Sequence, residues 1–378
     1  MATENKQKNS EIPEGWTRTI LGEFLILQRG FDLPATDRHD GQYPLMVSNG
    51  QDGFHKEYKV KAPGVVTGRS GSLGSVFYVE KNFWPLNTTL WVKDFYDNNV
   101  KFAYYLLKNL PLDKYNSGSG VPTLNRNHVH PLDIIVPGKN EQKTIADVLS
   151  SLDNKIELLR EQNETLEKTA QTIFNEWFGR YKVGDELPEG WKAGKLTEIA
   201  KFLNGLAMQK FPVRTGEESL PVIKIRELKQ GISGQTGKSN LEVPHEYHIS
   251  NGDVLFSWSG SLEVVIWQYG KGALNQHLFK VSSDVYPKWF YYSWVLHHLK
   301  EFQAVAATKA TTMGHINRNH LESAEVIIPD SDTLTSMSAL MEPLLNKFEI
   351  NSQEILSLSK TRDLLLPKLM TGKISVKI

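Results

Sequence analysis

The sequence predicts a duplicated α+β protein: two related β-rich domains, each followed by one long α-helix, the two helices packing antiparallel as a coiled coil with internal pseudo-two-fold symmetry. Three observations carry this expectation. The tetrapeptide PEGW stands at 13–16 and again at 188–191; LNRNHV at 124–129 recurs as INRNHL at 316–321; and after each of these a proline-stopped apolar run gives way to a heptad-spaced segment.

The length of 378 residues exceeds what one hydrophobic core usually serves, so two similar halves fit it well. Lys+Arg and Asp+Glu are balanced at 43 each, and overall charge neither announces nor excludes a nucleic-acid partner. Locally the balance is uneven: the stretch from Glu141 to Phe178 carries eight acids against four bases, which leaves the remainder slightly basic. Cysteine is absent, which removes disulfides, thiol chemistry and cysteine metal sites. The opening residues MATENKQKNS are polar and no apolar run approaches the roughly 20 residues of a membrane span, so a soluble cytoplasmic chain without a membrane segment is expected.

Followed along the chain, the repeat drifts only where loops change length. At an offset of 175, Leu21 meets Leu196, Glu23 meets Glu198 and Gly30 meets Gly205. By an offset of 189, SGSL at 70–73 meets SGSL at 259–262. Each copy lies between short strand-like runs, GVVTG and SVFYV in one half, GDVLF and EVVIW in the other. FAYYLLKNL and FYYSWVLHHL then read as amphipathic helices, each followed by a small, polar stretch, KYNSGSGVPT or AATKATTMGH. After the NRNH elements, IIVP at 134–137 and VIIP at 326–329 close each domain as a strand stopped by proline.

In the first helix Ile145, Leu149, Leu152, Ile156, Leu159, Asn163, Leu166, Ala170, Ile173 and Trp177 fall at alternating steps of four and three, a heptad seam. At an offset of 192 the same steps run from Met337 and Met341 through Asn351 and Arg362 to Leu369. Pro343 and Pro367 predict an irregular start and end for this second helix. About 38 helical residues at ~1.5 Å rise make a rod on the order of 55–60 Å. Because the halves follow one another head to tail, the simplest closed packing sets the two helices antiparallel, with a globular half at each end. That register pairs Ile145 with Leu369, Leu159 with Ile355 and Asn163 with Asn351. The expected domains are 1–139, the helix 140–181, the second domain 182–330 and the final helix 331–378.

No catalytic constellation survives scrutiny. GISGQTGKS at 231–239 has five residues between Gly231 and Gly237 where a phosphate-binding loop needs about four, and NLEVPHEY after it is a poor helix. His245 and His248 lack a third ligand and read as surface residues, whereas His297 and His298 read as partly buried structural ones. There is no Asn-Pro-Pro-aromatic element, no glycine-rich strand-turn-helix for a nucleotide and no helicase motif. The chain reads as a binder and not an enzyme.

Duplicated globular units opened by PEGW, a helix beginning NEQKTIADVLSSLDNKIE and a terminal LLLPKLMTGKI resemble the specificity (S) subunits of type I restriction-modification systems. The resemblance covers essentially the whole chain and is most specific in the two helical regions. It implies two target recognition domains, each reading one half of a bipartite double-stranded DNA site. It also implies two methyltransferase (M) subunits and restriction-translocase (R) subunits as partners. No cofactor is implied on this chain: S-adenosylmethionine, ATP and Mg would sit on the partner subunits. A coiled coil of fixed length would set the half-site spacing. The alternatives are a non-catalytic scaffold whose globular ends bind proteins, or a self-sufficient methyltransferase or nuclease, which the missing motifs disfavour.

The duplication also filters the candidate DNA-binding residues, because residues shared by both halves cannot make two domains read different sequences. Trp16 and Trp191 are accordingly read as structural. Arg126 and Arg318 of the NRNH elements carry two open readings, packing within the turn or a guanidinium beside phosphate. Just before SGSL the halves differ: Arg69, suited to guanine, stands where the other half has Trp258, suited to apolar stacking, followed by Ser70 and Ser259. Further candidates are Ser48, Asn49, Gln51, His55 and Lys56 in one unshared loop, and Lys224, Arg226, Glu227 and Lys229 in the other. Lys114 and Ser119, and likewise Lys309, Thr311 and Thr312, are read as backbone clamps. On the helices, the acidic outer face with Phe174 and Phe178 at its edge is expected to dock partner helices.

Overall fold

In the computed structural model, which describes residues 12–118, 120–181, 184–308 and 314–376, each copy of PEGW is a four-residue turn. The Trp16 N–H closes on the Pro13 carbonyl at 3.1 Å and the Trp191 N–H on that of Pro188 at 3.0 Å. Gly15 and Gly190 occupy the third position with φ of +79° and +80°, the left-handed value that a type II turn requires and a Cβ penalises.

The first half continues through β1 (Trp16–Ile20), α1 (Leu21–Phe24), β2 (Ile26–Arg29), β3 (Tyr43–Val47), β4 (Gly50–His55), β5 (Gly64–Gly68), β6 (Val76–Val79), β7 (Trp84–Pro85) and β8 (Thr89–Asp94). The helix α2 (Val100–Asn109), the short α3 (Arg126–Val129), β9 (Asp133–Pro137) and the long α4 (Lys139–Phe178) follow. β1 pairs antiparallel with β9, a second sheet runs in the order β2-β8-β5-β6, and a third in the order β4-β3-β7. α2 starts where the Asn99 side chain accepts the Phe102 N–H at 2.9 Å, satisfying one of the donors that a helix start leaves free.

The second half repeats this grammar. It runs through β10 (Lys192–Lys195), α5 (Leu196–Ile199), β11 (Lys201–Asn204), β12 (Leu220–Ile223), α6 (Ile225–Gln230), β13 (Lys238–Ser239) and β14 (His248–Ile249). Then come β15 (Val254–Ser257), β16 (Val264–Ile266), β17 (Gly272–Leu274), β18 (Leu278–Ser282), α7 (Lys288–Thr308), α8 (Arg318–Ser323), β19 (Glu325–Ile328) and α9 (Ser331–Met370). β10 pairs with β19, and the sheet β11-β18-β15-β16 copies β2-β8-β5-β6 strand for strand. The third sheet, β13-β12-β17-β14, keeps the parallel pairing that β3 makes with β7, between β12 and β17. Gly30 and Gly205 hold matched positions: a Cβ on Gly30 would overlap the Leu86 carbonyl oxygen, and one on Gly205 that of Asn275.

Two compact units emerge, Met1–Lys155 with Leu358–Ile378 and Ile156–Ser357, so each contains one globular half and part of both long helices. In the first, Ile145, Ala146 and Leu149 of α4 share a core with Leu366, Leu369 and Met370 of α9, and with Leu21, Phe102 and Leu106 of the domain. Further along α4, Asp153 meets Arg362 at 2.8 Å. In the second, Phe174 and Phe178 of α4 and Met337 and Met341 of α9 close on Trp289, Phe290 and Trp294 of α7. Numbers rise along one helix as they fall along the other, so the packing inside each unit is antiparallel.

Three expectations are corrected. α9 is one continuous helix of 40 residues through both Pro343 and Pro367. A proline there forgoes a backbone hydrogen bond, but Met341 and Leu366, buried nearby in the cores of the two units, hold the helix against the domains. Asn163 and Asn351 are buried in the seam, as the heptads require, yet do not bond to one another. Asn163 Nδ2 donates to Ser352 Oγ at 2.9 Å and to the Phe348 carbonyl at 3.3 Å, while Asn351 Nδ2 donates to Gln162 Oε1 at 3.3 Å. The side chains are offset by one residue, and each amide finds its partner on the neighbouring position of the other helix. Phe174 and Phe178 offer no edge to a partner, being 0% and 1% exposed, with Phe174 set edge-on to Trp294 at 5.1 Å. His297 and His298 are structural residues, as expected: the His297 ring lies 5.3 Å from Trp294 and 6.0 Å from Phe174, and the buried His298 has its Nε2 2.8 Å from the Glu325 carbonyl.

Candidate nucleic-acid interface

In the first unit a cleft of about 850 Å³ opens where the sheet β2-β8-β5-β6 meets the segment around Thr123 and α3. β2 contributes Gln28 and Arg29, β8 contributes Lys93, the turn after β5 contributes Arg69, and α3 begins with Arg126. These four cations face one carboxylate on the same lining, that of Asp32. The turn is fixed by its backbone: Arg69 and Ser70 N–H groups donate to the Thr88 carbonyl at 2.8 and 3.0 Å, and the Arg69 carbonyl accepts the Leu124 N–H at 2.7 Å. α3 is started by Asn125, whose side chain accepts the Asn127 N–H at 3.0 Å. Arg126 is exposed and reaches the Leu27 carbonyl at only 3.5 Å, leaving most of its fork to solvent.

His130, at the end of α3, fixes β2 from behind, because its Nε2 accepts the Leu27 N–H at 3.0 Å. Burial, and next the nearby Arg126 charge, push the imidazole pKa below its ordinary value. The ring is therefore a neutral acceptor, which is the form the hydrogen bond to β2 needs.

The second unit places different chemistry on the same backbone address. The Trp258 carbonyl accepts the Ile316 N–H at 3.0 Å, as Arg69 accepts that of Leu124, and Ser259 pairs with His315 as Ser70 pairs with Thr123. The Trp258 indole N–H donates to Asn204 Oδ1 at 2.9 Å and to the Gln276 carbonyl at 3.2 Å. Its ring lies 5.9 Å from His277 and 6.1 Å from Phe279. Where the first domain has a cationic cleft, the second has a half-buried aromatic shelf.

Of the residues singled out from sequence, the structure brings Arg69 and Arg126 together in the cleft and puts Trp258 at the centre of the shelf. Ser48 and Asn49 form the turn between β3 and β4, Gln51 and Lys56 lie exposed nearby, and Lys114 is exposed on a short 3-10 turn; none of them lines the cleft. Lys224 occupies the N-cap position of α6 and Arg226 and Lys229 lie on it, with Lys229 paired to Glu263 at 3.0 Å, and Arg318 faces Glu322 at 3.9 Å on α8. Ser119, Lys309, Thr311 and Thr312 lie outside the described residues.

Three candidates have no exposed side chain to offer. His55 is 2% exposed, edge-on to Trp84 at 5.1 Å, with Nδ1 3.2 Å from the His39 backbone. Glu227 is 1% exposed and organises its own loop, accepting from Arg226 at 2.8 Å, Thr236 at 3.2 Å and the Lys224 N–H at 3.1 Å. Ser259 is buried with its hydroxyl 3.0 Å from His277 Nδ1. Polar residues in unshared loops looked available from sequence, but their burial is decided by how the chain folds over them, from nearby for Glu227 and from farther along for His55.

Sequence reasoning missed Arg29, Lys93 and, in the second domain, Asn204. A signal existed for two of them: in ILQRG and KFLNG the residue before the shared glycine differs, Arg29 against Asn204, which marks a place where the surfaces of the two domains diverge.

Comparison with known proteins gives a consistent answer. The family model for the type I restriction modification DNA specificity domain matches residues 13–168 and again 188–360. The specificity subunit of type I restriction enzyme MjaIX from Methanocaldococcus jannaschii is 27% identical over 301 residues, covering 73% of this chain and 69% of that protein. The MjaVIII specificity subunit of the same organism is 21% identical, covering 97% of this chain and 94% of its own. The crystal structure of a type I restriction-modification S subunit from M. genitalium superposes with a TM-score of 0.64 at 18% identity, covering 97% of this chain and 98% of that one, which supports the fold.

Proposed function

This chain belongs to the family of type I restriction modification DNA specificity domains, and we propose that it is the non-catalytic subunit that reads a bipartite double-stranded DNA target. The first domain takes one half-site in the cleft lined by Arg29, Arg69, Lys93 and Arg126, and the second takes the other against the shelf around Trp258. The observation that carries this reading is the pair Arg69 and Trp258, held by the same backbone hydrogen bonds in a duplicated fold while presenting opposite chemistry. A shared scaffold with divergent side chains is what two readers of different sequences need. Phosphate contact from the surrounding cations would supply affinity and its salt dependence.

On this reading the long helices set the distance between half-sites and dock two methyltransferase subunits, with restriction-translocase subunits joining the full assembly. Exposed apolar residues on the helices, Leu158, Leu340, Ile350 and Leu364, favour helix docking of that kind. S-adenosylmethionine, ATP and Mg would then be used by the partners, in the cytoplasm. Among the described residues no helix is long and apolar enough to cross a membrane.

Selection from randomised duplexes, with the chain alone and with its methyltransferase partner, tests the proposal. Enrichment of two short motifs separated by a fixed, unselected spacer is expected. Enrichment of nothing in either condition refutes it and favours a protein-binding scaffold.

A further inference from the structure

We infer that Arg29 reads a guanine in the half-site taken by the first domain, and that Asp32 and Asn87 are positioning residues that prepare it; the inference rests on the DNA-reading function proposed above. Arg29 ends β2, one residue before the glycine that both halves share, and lines the cleft. Its Nη2 donates to Asp32 Oδ1 at 2.9 Å, and the same oxygen accepts the Asn87 side-chain amide. The Asn87 carbonyl in turn accepts Arg69 Nη1 at 3.2 Å. Asn87 thus ties the guanidinium groups of Arg29 and Arg69 into a single chain of hydrogen bonds.

The chemistry of this chain favours a base edge over phosphate. Asp32 places a negative charge against Arg29, which a phosphate would oppose and a neutral base would not. A carboxylate holding one side of the fork also orders the long side chain before it binds, while the remaining N–H groups stay free for the O6 and N7 acceptors of guanine. Arg126 and Lys93, which have no carboxylate partner of this kind among the described residues, are better suited to phosphate. In the second domain the equivalent residue, Asn204, is also held by a partner, through Trp258 Nε1 at 2.9 Å. The two domains share the device of a buttressed reader before the glycine and differ in the group it presents.

The test uses the full chain assembled with its methyltransferase partner and selection from randomised duplexes. The unaltered protein should give a split motif. Arg29→Ala should lose the preference for guanine at one position of one half-site by roughly 10- to 100-fold, leaving the other half-site as before. Arg29→Lys should recover the charge without the discrimination, and Asp32→Asn should blur the same position by a smaller factor while binding to non-specific duplex is kept. A motif that Arg29→Ala leaves intact overturns the inference and leaves the reader function standing. Weakening spread evenly over all sequences also overturns it, by assigning Arg29 to phosphate. Absence of any motif from the unaltered protein overturns the function itself. Should Arg29→Ala fail to fold, Asp32→Asn and Arg29→Lys decide by the same readout.

Discussion

Arg362 of the last helix donates from Nη1 to Asp153 Oδ1 of the first long helix at 2.8 Å, with the two side chains only 18% and 26% exposed. Tyr105 of α2 donates its hydroxyl to the other oxygen at 2.7 Å, so one carboxylate joins both long helices to the first domain. Burial first, and then the hydrogen bond to Asp153, raise the tyrosine pKa far above its ordinary value and keep the hydroxyl a donor. Asp153→Ala leaves the Tyr105 hydroxyl without its acceptor and the Arg362 guanidinium with only the exposed Asp363 at 2.8 Å, and should destabilise the first unit by about 1–2 kcal/mol in urea unfolding. Replacing Asp153 and Arg362 together by leucine should recover part of that loss, because the only charge then left without its partner is Asp363, which is 63% exposed and solvated.

The seam asparagines make a prediction of opposite sign. Asn163 and Asn351 are 8% and 0% exposed, and among the described residues the Oδ1 atom of each finds no hydrogen-bond partner. Converting both to leucine should stabilise the chain by roughly 2 kcal/mol against denaturant, since two poorly satisfied amides leave the seam. The same change should permit slipped helix registers, read as new cross-links between cysteines placed one heptad apart.

Gly205→Ala should destabilise the second unit by about 1–3 kcal/mol, because the added methyl overlaps the Asn275 and Leu274 carbonyl oxygens, which are backbone and cannot rotate away. Gly30→Ala meets the Leu86 and Pro85 carbonyls and should do the same in the first unit. Thermal melts of each variant check both. A melt within experimental error of the unaltered protein would show that the strand can move aside.

His130 predicts a loss of stability in mild acid. Its pKa is lowered in the folded chain, so the unfolded state takes up a proton first as pH falls. The stabilisation is complete above the ordinary histidine range and is lost as pH falls through the depressed value. Protonated His130 can no longer accept the Leu27 N–H, and β2 with the cleft wall should loosen at the same time. His130→Gln should flatten this part of the stability–pH profile, as followed by unfolding at a series of pH values.

The PEGW turns, the paired domains and the heptad helices were all legible because their causes are local. A glycine needed at positive φ, a strand stopped by proline and an apolar step of four and three are written within a few residues of one another. Even the antiparallel register was readable, since it follows from matching two seams; only the one-residue offset of Asn163 and Asn351 escaped, because it depends on which amide geometry the packed backbones allow.

The candidate surface was readable only in part. Arg69 and Arg126 were found through comparison of the halves, but the cleft also takes Arg29 and Lys93 from other strands, and nothing in their immediate neighbourhoods links them. His55, Glu227 and Phe174 looked exposed in polar contexts and are buried: Trp84 and Trp294 cover His55 and Phe174 from elsewhere in the chain, and Glu227 is sealed by its own loop through Thr236. The sequence by itself determined that this protein is two copies of one fold joined to two seamed helices. Which side chains share a cleft, and which are sealed from solvent, was decided by tertiary structure, since proximity and burial are properties of residues brought together across the chain.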